Sequence, residues 1–126
     1  MHIRNALFTI NITLAMLWIY QGLVPKLMYK VIEEQLFWQF TGIQFLPIQR
    51  LVELSGLLEI VFGTLFIILR QSKIIHYFNI VGMLFFFAVI ALVYPHYFTQ
   101  AFNTFVMNTA MAALSIVAIQ LLRIDE

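Results

Sequence analysis

The residue that most demands a chemical explanation is Glu59. It lies about eleven residues past Ile48 in an apolar run, Ile48 to Leu69, whose other charges are Arg50 and Glu53 near its start. A carboxylate that deep in hydrocarbon costs on the order of 3 kcal/mol, so it must face protein and needs either a proton or a nearby cation. Ser55, Gly56 and Gly63 stand three or four residues from it and share its helical face, which lets another helix come close. Two readings fit: an acid that handles protons or binds a ligand, and a hydrogen-bonded acid that ties helices together.

Other polar groups gather toward one end of the same segments. Glu53 is one turn from Arg50, and an i, i+3 ion pair at the interface explains both. Lys26 follows Pro25, where its long side chain can snorkel to the interface or turn inward to Glu53 or Glu59. Gln21 shares a stripe with Trp18, Gly22 and Pro25, beside Tyr20, while Asn103, Thr104 and Asn108 precede a small-residue face at Ala112 and Ser115. Such groups commonly form interhelical hydrogen bonds. Their convergence makes Gln21, Lys26, Glu53, Glu59, Asn103 and Asn108 the candidate lining of a polar ligand pocket with apolar walls.

Several chemistries are excluded or unsupported. With no cysteine, the chain itself can form no disulfide, thiol relay or iron–sulfur cluster. His76 and His96 fall at opposite ends of one apolar run and His2 is terminal, so no two histidines can share a haem iron, and no metal ligand set is spaced for one ion. A net charge of +1 without a Lys/Arg stripe gives no basis for nucleic-acid binding.

The elements that must position these residues are membrane helices. Of 126 residues 63% are hydrophobic and 10% charged, with a mean hydropathy of +0.94, against about 25% charged in a soluble domain. Too few polar residues exist to cover a water-soluble core. Charges and prolines mark off four spans, 5–24, 48–69, 74–94 and 104–122, in a single domain over 1–126. Each interval suits the ~20 residues needed to cross ~30 Å of hydrocarbon, and a barrel would need many shorter alternating strands. The first span is too long for a signal-peptide core and has no obvious cleavage site, so it is expected to be retained.

Four crossings place both termini on one side. Arg4, Arg70, Lys73 and Arg123 lie there, against Lys26, Lys30 and Arg50 opposite, a bias toward cytoplasmic termini. Between the first two spans, Leu36, Phe37, Phe40 and Ile43 recur at helical spacing, with Glu33, Glu34, Gln39 and Gln44 around them. This predicts a short amphipathic interfacial helix with Trp38 as an anchor; a cap packed over the bundle end is the alternative reading, and the two are compatible. The fold class expected is all-α, a transmembrane four-helix bundle with that extra helix. Phe85 to Phe87 and the methionines are read as lipid-facing or packing groups.

The stretches Tyr20-Gln21-Gly22-Leu23-Val24-Pro25-Lys26 and Glu53 to Gly63, with Ala101-Phe102-Asn103 and Asn108, resemble the DoxX-like family of small four-helix membrane proteins. The resemblance covers nearly the whole chain. It departs at Thr104 and Met107, where family members often carry Pro and Lys. It implies a bundle in the bacterial cytoplasmic membrane, acting as an accessory or anchor subunit of a redox system more than as a catalyst itself. A quinone is the implied lipophilic ligand, with no covalent cofactor, and an NAD-dependent oxidoreductase an implied partner. The residues alone also admit a small proton-coupled transporter or channel using Glu59, or a purely structural bundle. Small-residue stripes on the second and fourth spans serve packing within one chain or between copies.

Overall fold

The computed structural model describes residues 2–99 and 104–124, and its helices break where proline, glycine and polar turns interrupt the apolar sequence. Helix α1 is His2–Gly22, continued by a π-helical segment, Leu23–Met28. Then follow α2, Ile32–Thr41; α3, Ile48–Ile68; α4, Lys73–Val93; a 3₁₀ segment, Pro95–Thr99; and α5, Thr104–Ile124. Among the described residues there is no strand, and four helices are long and apolar enough to cross a membrane. The all-α bundle is therefore as expected. The later spans agree with expectation to within two residues, whereas the first helical run extends beyond 5–24 at both ends.

Cross-contacts fix the helix directions. Gly22 meets Gly56 and Ala15 meets Gly63, so α1 and α3 are antiparallel. Trp18 bonds Asn79 and Asn11 bonds the Arg70 carbonyl, so α4 runs with α1; Gln21 to Met107 and His76 to Ser115 set α5 against both. The termini share one end of the bundle, here the terminal end. The connector end carries α2 and the 3₁₀ segment. Leu7, Leu14, Trp18, Phe66, Met83, Met111 and Ala118 fill the core, while Phe8, Leu58, Val61, Phe78, Leu84, Phe85 and Leu92 face outward. An apolar belt of that extent suits lipid and not water.

Small residues let α1 and α3 touch backbone to backbone. A Cβ on Gly56 would stand 2.7 Å from the Gly22 carbonyl oxygen and 3.0 Å from the Lys26 Cβ; one on Gly63 would stand 2.9 Å from the Ala15 oxygen. No larger side chain fits there. Just beyond this contact Pro25 lacks an N–H and crowds the preceding turn, so the chain widens into the π segment, with Tyr29 N–H donating to the Val24 carbonyl at 3.1 Å and Val31 N–H to the Pro25 carbonyl at 3.0 Å.

Helix α2 covers the connector end and closes at Gly42, whose φ of +77° is the left-handed conformation that glycine adopts without cost. The expected apolar face is divided. Phe37 and Glu34 are buried against the bundle, Phe40 is exposed beside Tyr94 with ring centroids 5.2 Å apart, and Ile43 lies past the helix end.

Candidate functional site

The connector-end charges form two clusters, set apart by helix geometry. Glu53 and Glu59 are six residues apart on α3, which on a 3.6-residue helix turns them about 120° from each other. Glu59 points between α1 and α3, and Glu53 sits on the flank nearer the surface.

The inner cluster is centred on Lys26. The π segment directs its ammonium to Glu59 Oε1 at 2.8 Å, Glu34 Oε1 at 2.9 Å and Ser55 Oγ at 3.2 Å. Three acceptors match its three hydrogens. All three charged side chains are largely buried, at 15% exposure for Lys26 and Glu59 and 11% for Glu34. The four residues come from three elements: Lys26 from the π segment, Glu34 from α2, Glu59 and Ser55 from α3. Trp38 Nε1 donates to the same Glu34 oxygen at 3.0 Å, so the indole expected as an interfacial anchor also fixes this acid. Ser55 Oγ accepts from Lys26 and donates to the Val52 carbonyl at 2.9 Å. The remaining oxygen of Glu59, Oε2, is buried with no hydrogen-bond partner among the described residues.

The outer cluster reverses the charge pattern. Glu53 lies 2.9 Å from Arg50, the pair expected from spacing, and 3.3 Å from Lys30. Lys30 adopts φ +48°, a left-handed conformation uncommon for a non-glycine residue, while Gln35 Nε2 donates to its carbonyl at 2.5 Å. Beside this cluster an open groove of about 480 Å³ is lined by Leu46, Pro47, Arg50, Glu53, Leu54 and Leu57. It lies on the face of α3 away from Glu59.

Of the six residues proposed for one pocket, Lys26 and Glu59 are brought together and Glu53 joins the neighbouring cluster. Gln21 faces α5 instead, donating weakly to the Met107 sulfur at 3.3 Å. Asn108 is half-buried on α5, and among the described residues no hydrogen bond joins it to Lys26, Glu53 or Glu59. Asn103 lies outside the described residues. Glu34 and Lys30 were not among the expected site residues; Glu34 stood on the polar side of an amphipathic pattern, where it looked solvated.

A further polar centre was missed in the terminal half. Trp18 Nε1 donates to Asn79 Oδ1 at 3.0 Å, Asn79 Nδ2 donates to Ser115 Oγ at 2.7 Å, and Ser115 Oγ lies 3.0 Å from His76 Nδ1. Asn79 Nδ2 also donates to the Met111 carbonyl at 3.3 Å. With Asn79 as donor, the serine hydroxyl can donate to His76, which ties α1, α4 and α5. The available signal was the i, i+3 spacing of His76 and Asn79 within an apolar run. Trp18, Phe62 and Phe66 stack edge to face at 5.1 Å each between the two halves, with His76 5.4 Å beyond Phe66.

A close-packed glycine contact leading into a Pro-Lys turn, facing an acid on the next span, is the geometry of the two stretches singled out in the sequence. The family model described as the DoxX-like family matches residues 15–116, which contain both. The chain belongs to the DoxX-like family. No curated protein and no solved structure matches it. As a DoxX-like protein with four apolar helices it is a multi-pass integral membrane protein in contact with the lipid bilayer. The matched region includes Lys26, Glu34, Ser55 and Glu59, so the whole inner cluster lies within the family portion of the chain.

Proposed function

We propose that this DoxX-like protein is an accessory or anchor subunit of a redox system in the bacterial cytoplasmic membrane, with both termini cytoplasmic. In this reading it binds a lipid-soluble ligand with a polar head, such as a quinone, against the Lys26–Glu34–Glu59 cluster beneath α2. The observation that carries it is a lysine held inside the bundle by two acids from separate elements, with one carboxylate oxygen left unpartnered among the described residues. Buried polar atoms without a partner among the described residues also lie at Asn11 Oδ1 and His76 Nε2, and what distinguishes Glu59 Oε2 is its place beside the cluster's lysine, in a low-dielectric interior where such an atom costs about 1–3 kcal/mol. Helix α2 supplies one of the acids and forms the cover, so a ligand head entering from the membrane surface would pass beneath it.

The test is a titration of the purified protein in nanodiscs with a short-chain quinone, alongside identification of enzymes that co-purify under mild extraction. Saturable binding weakened at least tenfold by Lys26→Met, or a stoichiometric oxidoreductase partner, supports the proposal. Absence of both overturns it. The transporter reading requires a polar path through both halves, and the aromatic stack of Trp18, Phe62 and Phe66 stands against it, since no hydrogen bond among the described residues links Glu59 to the His76 centre. Proton flux in proteoliposomes that Glu59→Gln abolishes would reverse that preference.

A further inference from the structure

The hydrogen-bonding inventory of the inner cluster restricts the ligand head it can receive. Lys26 is the cluster's cation, and its three hydrogens are matched by Glu59 Oε1, Glu34 Oε1 and Ser55 Oγ within 3.2 Å. The hydroxyl of Ser55 is directed to the Val52 carbonyl, and the indole N–H of Trp38 to Glu34. Each of these donors is occupied. The vacant position is an acceptor: among the described residues Glu59 Oε2 makes no hydrogen bond, and it is enclosed, so a ligand reaches it only by displacing what covers it.

On this basis, and resting on the ligand-binding reading above, we infer that the site selects a lipophilic ligand whose head donates a hydrogen bond, a hydroquinone or other phenol-like hydroxyl, over one that only accepts, such as the oxidised quinone. The ligand hydroxyl donates to Glu59 Oε2 while Lys26 keeps its three partners. A quinone carbonyl brings a second acceptor to face the carboxylate oxygen, and can be accommodated only if Lys26 gives up an existing bond. A hydrogen bond to a charged acceptor is worth enough to separate the two classes by about tenfold or more. The outer cluster supplies an internal contrast. Arg50, 69% exposed, retains donors and would favour a carbonyl.

The experiment compares 4-octylphenol with its methyl ether, 4-octylanisole, which share ring and tail but differ in the donor. Decylubiquinol held reduced under anaerobic conditions and decylubiquinone form the second pair. Binding is measured to wild-type protein in nanodiscs. The phenol and the quinol are expected to bind at least tenfold more tightly than their partners. In Glu59→Gln the amide carbonyl takes over Lys26 and its NH₂ replaces the open acceptor with a donor, so the preference should vanish or invert. Equal wild-type binding within either pair overturns the inference while leaving ligand binding intact, and a preference that persists in Glu59→Gln overturns the assignment to this oxygen. If neither member of either pair binds saturably, the ligand-binding reading fails and takes the inference with it.

Discussion

Replacing Lys26 leaves Glu34 and Glu59 facing each other without their shared cation, and the two acids lose different amounts of support. Glu34 keeps the Trp38 indole, whereas Glu59 keeps no hydrogen-bond partner among the described residues. Lys26→Met is therefore expected to destabilise the bundle by about 3–5 kcal/mol, the cost of stranding a buried charge. Glu59→Gln, which preserves a carbonyl for Lys26, should cost clearly less. Unfolding curves in mixed micelles check the order, and equal losses would contradict it. At this scale the sequence was informative about Glu59, because a carboxylate among apolar residues has few places to go. It was silent on the direction of Lys26, since snorkelling and inward turning fit the same spacing. Glu34 was illegible because amphipathic periodicity treats every acid on the polar face alike, and only the docking of α2 shows that this one is covered. The separation of Glu53 from Glu59 could have been read from their spacing of six residues.

Among the elements, the contact between α1 and α3 decides whether the site exists at all. Gly22 and Gly56 bring the two backbones together immediately before the π segment, one turn ahead of Lys26, and that approach brings Lys26 within reach of Ser55 and Glu59. Gly56→Leu should force the helices apart, destabilise the fold by roughly 1–3 kcal/mol through overpacking, and release the lysine. The same change at Gly82, where a Cβ would meet nothing within 4 Å, should be nearly neutral. A comparison of the two by thermal melting and by lysine-directed labelling checks this; similar behaviour would argue against the close contact. The four spans were legible from length and hydropathy alone, since lipid leaves a helix few alternatives. The π segment was not, because a proline near a helix end also fits a simple termination. For the same reason the first span was expected to stop at residue 24, short of the residue it delivers.

Across the whole molecule the polar groups inside the bundle form a charged half toward the connector end and a neutral hydrogen-bonded half toward the terminal end, with an aromatic stack between them. The neutral half, built from Trp18, Asn79, Ser115 and His76, locks three helices together and gives the charged half a stable base. Because the chain has no cysteine, single cysteines report topology cleanly. With cytoplasmic termini, Gln71→Cys should react with a membrane-impermeant maleimide only from the cytoplasmic side and Gln44→Cys only from the opposite side. The reverse pattern would invert the orientation proposed here. All of these consequences depend on Glu59 being turned inward onto Lys26, and a double-mutant cycle on that pair measures it most directly. Unfolding free energies of wild type, Lys26→Met, Glu59→Leu and the double variant in mixed micelles should show a coupling of about 1–3 kcal/mol. Strictly additive losses would mean that the two charges do not meet and that the polar centre of this bundle lies elsewhere.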